Sequence, residues 1–275
     1  MNTMTRIKTS QGTFAINEQA DSKMSQHLSG NSYPQQDVLN FVHKIRAKKV
    51  VDVGAHIGTV SIPLARAGLH VIAFEPNRDS FELLTTNTSL NQVQIDARQK
   101  GLARMSGRAT STQIRSGNAG SNTLVSGEEI EISTLDAEVA QTDFIKIDVE
   151  GMELEVLEGG RELIAQSRPA IFFEVNLTAL RLHGIHPSSL QRFFRSMQYA
   201  FYYWNKGMLY RVPSLPLITA LISPRSYFFG GNSAVFDIVA LSGDRVLSIP
   251  QYSYIHTLLH LIWRYVKINY ARLFN

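Results

Sequence analysis

Short apolar runs alternate with segments of helical periodicity along the middle of the chain. The runs at 49–53, 70–74, 144–148 and 170–175 are almost continuously apolar and have the length of strands. Strands of this kind are buried on both faces, as they are in parallel sheets. Because helical segments separate these runs, the pattern predicts an α/β fold with a doubly wound, mostly parallel sheet.

The remaining elements are predicted from capping residues, alternation and turn residues. Helices are expected at 37–45, 59–67, 77–91, 151–166 and 187–197. Further strands are expected at 14–16, 93–102, 130–135 and 235–241, with loops or a hairpin over 104–127 and an aromatic hairpin over 199–212. We expect Asp37 to cap the first helix, Asn77 or Asp79 to cap the third, and the strand at 130–135 to lie at a sheet edge.

The composition is that of a globular protein without cysteine. Hydrophobic residues make up 44% of the 275 residues and charged residues 18%, a balance that excludes a disordered chain. The absence of cysteine excludes disulfides, thiolate metal sites and a cysteine nucleophile. No stretch reaches the ~20 apolar residues of a transmembrane helix, and residues 1–16 lack the apolar core of a signal peptide. We therefore expect a cytoplasmic protein.

Charge is distributed unevenly along the chain. Residues 175–275 contain 10 of the 27 Lys and Arg residues but only 2 of the 23 Asp and Glu residues. This part is expected either to face an anionic partner or to form a solvated basic surface. Within it, residues 251–275 predict a basic amphipathic helix. Such a helix is expected either to contact a membrane surface peripherally or to pack on the protein's own sheet or on a second subunit of a homo-oligomer.

A glycine-containing turn follows the first apolar strand, in the sequence Asp-Val-Gly-Ala-His-Ile-Gly over 52–58. Gly54 allows a sharp turn at the strand end, and Gly58 allows close approach where the helix begins. Backbone N–H groups there can face a polar ligand. Glu75 ends the second strand, where an acid can accept hydrogen bonds from both hydroxyls of a ribose. The predicted cofactor-binding residues are Asp52, Gly54, Ala55, His56, Gly58 and Glu75.

Two cofactor classes use this geometry. A dinucleotide site requires Gly-x-Gly-x-x-Gly so that the backbone can approach a pyrophosphate, but here His56 occupies the middle glycine position. Asp52 would repel a pyrophosphate, whereas it would tolerate the amino group of S-adenosylmethionine (SAM). An acid in a core strand is costly unless it is paired or ligated. We therefore favour SAM over NAD.

A second acidic segment, Phe-Ile-Lys-Ile-Asp-Val-Glu-Gly-Met-Glu, spans 144–153. Ligands of open sheets bind outside the carboxyl ends of strands, so Asp148 is expected to face the same crevice as Gly54 and Glu75. It is also a predicted cofactor-binding residue. Glu153 is expected only to complement the helix dipole. The predicted catalytic residues are Asp148, Glu150, Glu174 and His183.

The order of these motifs resembles that of FkbM-family methyltransferases. Segments 51–58, 73–77, 143–159 and 173–175 carry the resemblance, which covers roughly residues 48–176. The run Lys-Ile-Asp-Val-Glu-Gly is its most specific part. The resemblance implies a class I methyltransferase (Rossmann-like) fold with seven strands, SAM as cofactor and a hydroxyl as the usual acceptor.

The resemblance further implies an O-methyltransferase that acts on a hydroxyl of a sugar, a glycoconjugate or a related small molecule. We divide the chain into an N-terminal extension over 1–47, a methyltransferase domain over 48–249 and the basic helix over 250–275. Family members often have an acid near Tyr33-Pro34, where this chain continues with two glutamines. We therefore assign no catalytic role to that segment.

Transfer to a hydroxyl requires that the acceptor be positioned and that a base remove its proton. Asp148 is the first candidate base, although its carboxylate can alternatively stabilise a positive sulfonium; His183 and His186 are the second candidates. Asp148 and Glu174 are suitable oxygen ligands, but their spacing requires no metal ion and none is predicted.

Two other functional classes stay open, an NAD-dependent oxidoreductase and a non-catalytic glycan- or membrane-binding module. A nucleic-acid acceptor is disfavoured because the chain has no Asn/Asp-Pro-Pro-Tyr/Phe motif. The basic C-terminal third is the one feature that would suit such a partner.

Overall fold

The computed structural model describes residues 4–30, 33–113, 122–127, 129–205, 207–217, 235–243 and 251–252. The strands within these residues are β1 (Met4–Lys8), β2 (Thr13–Asn17), β3 (Lys49–Val53), β4 (His70–Phe74), β5 (Asp96–Arg98), β6 (Gly101–Leu102), β7 (Gly107–Gln113), β8 (Asn122–Ser126), β9 (Ile130–Ser133), β10 (Phe144–Ile147), β11 (Ala170–Asn176), β12 (Tyr199–Asn205), β13 (Met208–Val212), β14 (Val235–Ser242) and β15 (Gln251–Tyr252). The helices are α1 (Ser22–Ser29), α2 (Gln36–Ile45), α3 (Ser61–Arg66), α4 (Arg78–Leu90), α5 (Leu135–Glu138), α6 (Glu153–Glu158), α7 (Arg161–Ser167), α8 (Leu177–Leu182) and α9 (Pro187–Ser196).

The main sheet has the strand order β15-β13-β12-β14-β11-β10-β3-β4-β5. The five strands from β11 to β5 pair in parallel, and β14 is inserted antiparallel between β11 and β12. The α/β fold with a doubly wound, mostly parallel sheet is confirmed. This sheet has nine strands among the described residues rather than the seven expected. The two additional strands are β13, which is the second strand of the aromatic hairpin, and β15, which pairs with β13 at the edge of the sheet.

The direction in which strands are added reverses between β3 and β10. From β3 the chain builds outward through β4 and β5, whereas β10 and β11 lie on the other side of β3. A crevice opens at the carboxyl ends of strands where the order reverses, and open α/β sheets bind their ligands there. The topology therefore predicts a ligand site next to the ends of β3 and β10.

Helices cover both faces of the sheet. Phe144 and Phe172 pack against Phe41 of α2 on one face. Ile145 and Phe173 point to the opposite face, into a core formed with α6, α7 and α9. Because successive side chains of a strand point to opposite faces, strands covered on both sides must be apolar throughout, as the sequence pattern indicated.

A second sheet has the order β6-β9-β7-β8, with β7 and β8 forming an antiparallel hairpin. The predicted edge position of the strand at 130–135 is wrong, because Ile132 pairs with Gly101 of β6 on one side and with Gly107 of β7 on the other. The alternation of apolar and polar residues shows that one face of a strand is buried, but it does not indicate how many strands pair with it. The strand expected at 93–102 is divided between the two sheets as β5 and β6.

Two helix predictions need correction. The helix expected over 151–166 is two helices, α6 and α7, which Gly159 and Gly160 separate. A Cβ at Gly159 would collide with the backbone oxygen of Ala103, so the chain approaches Ala103 closely where the helix is interrupted. Asp37 does not cap α2; the capping position is held by Gln35 at φ 56°, and Asp37 lies in the first turn. Asn77 is confirmed as the cap of α4, since its Oδ1 accepts a hydrogen bond from the Ser80 N–H at 3.0 Å.

The N-terminal hairpin of β1 and β2 is joined to α4 by amide side chains. The Ala15 N–H donates to Asn87 Oδ1 at 2.6 Å, and Asn87 Nδ2 donates to Ala15 O at 3.1 Å and to Ile57 O at 3.0 Å. Asn91 makes an equivalent pair of bonds to the backbone of Thr13. These bonds attach the hairpin, and α1 after it, to the main domain.

Within the described ranges, no helix is long and apolar enough to cross a membrane. The basic helix predicted over 251–275 falls largely outside these ranges. Its first two residues form β15 instead, in parallel register with Leu209 and Tyr210.

Candidate active site

A cavity of about 330 Å³ lies at the carboxyl ends of β3, β4 and β10, within the size range of small-molecule sites. It is the crevice predicted from the strand order. The predicted site residues that line it are Gly54, Ala55, His56, Glu75, Asp148, Glu150 and Glu174.

The glycine turn closes one side of this cavity. Gly54 has φ 77°, and a Cβ there would collide with the backbone oxygen of Asp148, so only glycine lets the ends of β3 and β10 approach this closely. Gly58 also has a positive φ, but its missing side chain makes room for Ile62 and Leu84. Gly58 does not line the cavity, and its predicted role as a cofactor contact is corrected to one in packing.

Glu75 occupies the position expected of a ribose-binding acid. It is only 7% exposed, and its two oxygens accept backbone N–H bonds from His56 at 2.8 Å and Asn77 at 2.9 Å. Burial raises the pKa of Glu75, while His56 and Lys146 oppose that shift. The carboxylate is therefore held in a fixed direction at the end of β4.

Asp52 is buried and does not line the cavity, which corrects its predicted cofactor contact. Its Oδ2 accepts a hydrogen bond from Ser61 Oγ at 2.6 Å, and its Oδ1 lies 3.1 Å from Lys146 Nζ. Lys146 also donates to Gly54 O at 2.8 Å. Although burial alone would lower the pKa of Lys146, the Asp52 and Asp148 carboxylates raise it, so the side chain stays charged. Asp52 thus supports the site through Lys146.

Sequence reasoning missed Lys146, although a signal was present. A lysine between apolar residues of a buried strand needs an anionic partner, and Lys146 stands beside Asp52 in the parallel register of β10 and β3. Lys146 Nζ also lies 3.5 Å from Asp148 Oδ2. One buried cation therefore connects the two acidic segments.

Gln35 is the second residue that the sequence did not reveal. Its Nε2 donates to Asp148 Oδ2 at 2.8 Å, so the segment after Tyr33-Pro34 reaches the site although it lacks the expected acid. Tyr33 holds that segment in place by donating to Thr59 O at 2.8 Å. The segment has no predicted catalytic role, and the structure gives Gln35 a contact that positions Asp148.

Helix α1 lies over the cavity and contributes three lining residues, Lys23, Met24 and His27. Asp21 caps this helix by accepting from the Met24 N–H at 3.1 Å, and its other oxygen lies 3.1 Å from His56 Nε2. Burial opposes ionisation of Asp21, but His56 outweighs burial and the pKa of Asp21 is lowered. The Asp21–His56 pair therefore attaches α1 to the glycine turn.

A second cavity, of about 370 Å³, adjoins the first. The residues that line both cavities are Gln35, Lys146, Asp148 and Glu174. Asp37 and Asp237 add two more carboxyl groups to the second cavity. Asp148 therefore lies where the cavities meet.

The carboxyl groups of the second cavity are crowded. Glu174 and Asp237 are register partners on adjacent strands β11 and β14. Burial, followed by the charges of Asp148 and Glu150, raises the pKa of Glu174 to about 10. Burial, followed by Asp148 and Asp37, raises the pKa of Asp237 to about 7.

The other predicted catalytic residues differ in whether they line a cavity. Glu150 lines the first cavity at φ 48° and accepts a hydrogen bond from Asn176 Nδ2 at 2.9 Å. His183 follows α8, lines neither cavity and lies close to Gly151, so its candidate catalytic role stays a prediction. His186 caps α9 by accepting from the Ser188 N–H at 3.2 Å. Among the described residues, no group of three or more His, Asp or Glu is arranged to hold a metal ion.

Comparison with known proteins gives the family. The Methyltransferase FkbM domain matches residues 52–201. Hexuronic acid methyltransferase AglP of Haloferax volcanii is 30% identical over an alignment of 171 residues that covers 58% of this chain and 66% of AglP. The chain thus spans slightly less than two thirds of that relative's length.

Two solved structures are similar in part. The methyltransferase FkbM of Methylobacillus flagellatus is 24% identical with a TM-score of 0.34, over 46% of this chain and 32% of its own. M. jannaschii TYW2 in complex with AdoMet is 13% identical with a TM-score of 0.48, over 87% and 86% of the two chains.

The family match covers more than half of the chain and includes the carboxyl end of β3, all of β4, β10 and β11, and the residues that follow these strands at the cavity. The strand order agrees with a class I methyltransferase (Rossmann-like) fold, and the cofactor expected from the sequence, SAM, is the cofactor of this family. The chain belongs to the FkbM family of SAM-dependent methyltransferase domains.

Proposed function

We propose that the protein transfers a methyl group from SAM to a hydroxyl of a sugar or glycoconjugate. The observation that carries the proposal is the meeting of two cavities at Asp148, one with the features of a nucleotide-cofactor site and one suited to an acceptor. The similarity to AglP, which is named for a hexuronic acid, supports a sugar as the acceptor class.

The first cavity has residues that fit SAM. Each oxygen of Glu75 accepts one backbone N–H, and a carboxylate oxygen can accept a second bond, so both ribose hydroxyls have an acceptor. Gly54 lets the ends of β3 and β10 approach closely, so that the glycine turn and Asp148 line the same cavity as these oxygens. When bound, SAM supplies a methyl group that its positive sulfur has already activated. Asp148 and Glu150 are carboxylates that would favour this positive charge.

The work left to the chain is to position the acceptor and to take up one proton. Gln35 and Lys146 both contact Asp148 Oδ2 and hold the carboxylate at the junction of the cavities. Asp148 is the group that would accept the proton of the acceptor hydroxyl. Since Lys146 is already engaged by Asp52 and Gly54 O, its role is to position Asp148 rather than to bind the acceptor.

Calorimetric titration of the full chain with SAM and with NAD tests the cofactor site. We expect SAM to bind and NAD not to bind. Glu75→Ala should weaken SAM binding by at least about tenfold, because hydrogen bonds to a charged group contribute about 1.5–3 kcal/mol each. Glu82→Ala, at an exposed acid on α4, is the matched control and should bind as the parent does. Folded protein that binds no SAM would contradict the proposal.

The same protein, supplied with methyl-labelled SAM, tests the acceptor class. A mixture of simple glycosides and a tRNA fraction are the two probes, and mass spectrometry identifies the labelled atom. We expect the label in a glycoside, as an O-methyl group. Label found in the RNA fraction instead of a glycoside, or on a nitrogen or carbon atom, would contradict transfer to a glycoside hydroxyl.

A further inference from the structure

Four backbone donors of the glycine turn are used within the protein. The N–H groups of Gly54 and Ala55 both donate to the backbone oxygen of the last residue of β4, at 3.0 Å. The His56 N–H donates to Glu75 Oε2 at 2.8 Å, and the Gly58 N–H donates to Ala55 O at 2.9 Å. The expectation that N–H groups of this turn face a polar ligand does not hold for these four. They are therefore not available to bind an anionic group of the cofactor.

Three lysines line the first cavity among the described residues, and two of them are already paired. Lys100 Nζ lies 2.8 Å and 2.9 Å from the carboxylates of two glutamates, and Lys146 is bound to Asp52. Lys23 of α1 forms no salt bridge or side-chain hydrogen bond with any residue that the structure describes. Lys23 is therefore the lysine of this cavity that can bind an incoming anion.

Lys23 lies on the side of the first cavity where the glycine turn is. Its charge acts on Asp21, two residues before it, and Asp21 lies 3.1 Å from His56 Nε2 of that turn. Glu75 follows β4 and Asp148 follows β10, while the glycine turn follows β3, which lies between these two strands in the sheet. A cofactor that spans from Glu75 to Asp148 would therefore pass the glycine turn, beside which Lys23 lies.

The two walls of the first cavity differ in charge. The sheet side contributes Asp148 and Glu150, whereas α1 contributes Lys23 and, one turn later, His27. No acid of α1 lines the cavity among the described residues. SAM has a positive sulfur, an ammonium group and a carboxylate. Acids attract the first two groups and repel the third, and a lysine attracts the carboxylate. The distribution of charge therefore favours a carboxylate that faces α1.

We propose that Lys23 of α1 binds the carboxylate of SAM. The inference rests on the proposed function, because it assigns a contact to the cofactor of that reaction, and it gives the N-terminal extension a direct part in binding. S-adenosylhomocysteine has the same carboxylate and would make the same contact. Because Lys23 is an exposed side chain, its contribution should be that of a partly screened ion pair.

Decarboxylated SAM, which differs from SAM only in lacking the carboxylate, is the matched probe. Both ligands are titrated calorimetrically into the full chain at low salt, where charge pairs are screened least. Lys23→Met removes the charge and keeps the length of the side chain. It should weaken the binding of SAM relative to that of decarboxylated SAM by about three- to tenfold, the range of an ion pair between exposed and buried. Lys23→Arg keeps the charge and should retain most of the parent's ratio of affinities.

Lys48→Met, at an exposed lysine that lines neither cavity, is the matched control and should leave the ratio unchanged. An equal loss of affinity for both ligands in Lys23→Met would show that Lys23 only holds α1 in place, and it would overturn the proposal. A ratio that does not change in Lys23→Met would overturn it as well. If the parent chain binds no SAM, the proposed function fails; if it binds SAM but the ratio does not depend on Lys23, only the assignment of the carboxylate fails.

Discussion

At the scale of single residues, Glu153 is a buried acid that forms no ion pair with any of the residues the structure describes. It is 1% exposed, one oxygen accepts the Gly151 N–H at 3.1 Å, and the other has no hydrogen-bond partner. The expectation that it would merely complement a helix dipole is therefore incomplete. Burial raises the pKa of Glu153 to about 7, and the nearby Asp148 and Glu150 add to this shift. The folded protein accommodates this side chain best when it is protonated.

Glu153→Gln should therefore stabilise the protein at alkaline pH. Between the ordinary value of 4.5 and about 7, the unfolded chain loses this proton before the folded protein does, so stability falls as pH rises through this window. The glutamine variant should lack this loss and gain up to ~3 kcal/mol of unfolding free energy at pH 8, but little at pH 4. Urea denaturation at pH 4 and pH 8 measures the unfolding free energy of the parent and the variant, with Glu162→Gln as the control at an exposed position. No gain at pH 8 would contradict this account.

The sequence predicted which residues lie at the ends of strands better than it predicted which residues pair with a buried charge. Glu75 and Asp148 lie at the cavity as expected, because the ends of apolar strands can be recognised locally. Asp52 was recognised as an acid that needs a partner, but the pattern around it does not show that Lys146, far along the chain, supplies that partner. Gln35 was missed because its contact with Asp148 depends on how the N-terminal segment folds back.

At the scale of elements, α1 lines the first cavity, and the hairpin before it is attached to α4. That attachment depends strongly on Asn87, a fully buried residue whose side chain makes three hydrogen bonds to backbone groups. The sequence predicted a strand at 14–16 but could not place it, since an asparagine inside a helix does not indicate which backbone it binds. The N-terminal extension is thus part of the site through a contact between distant segments.

Asn87→Ala tests this attachment. It leaves buried backbone groups of Ala15 and Ile57 without partners, at a cost of at least about 2 kcal/mol in unfolding free energy. Hydrogen exchange should become faster in β2 and α1 than in β10, and SAM binding should weaken because α1 lines the cavity. Thr85→Ala, exposed on the same helix, should change neither. Weaker overall stability without selective exchange in α1 would contradict the role of Asn87.

At the scale of the whole molecule, the first cavity, which we propose binds the cofactor, lies between two parts of the chain. Met24 and His27 of α1 form one wall, and Glu75 and Asp148 at the sheet form the other. The general architecture followed from the alternation of apolar runs and helical segments. The enclosure of the cavity by α1 could not be predicted in this way. It depends on the Asp21–His56 pair, whose two residues lie in segments that were expected to belong to different domains. A ligand held between both walls should stabilise their association.

SAM should therefore stabilise the protein and protect α1 in particular. At a free concentration of about 100 times Kd, a ligand that binds only the folded state adds about 2.7 kcal/mol to the unfolding free energy. Amide exchange in α1 should slow more than in α9, which lines neither cavity, because SAM would contact α1 directly. NAD should have no effect, and Glu75→Ala should need more SAM for the same protection. Stabilisation without added protection of α1 would show that the cofactor binds to the sheet alone, and α1 would then be a neighbour of the site rather than one of its walls.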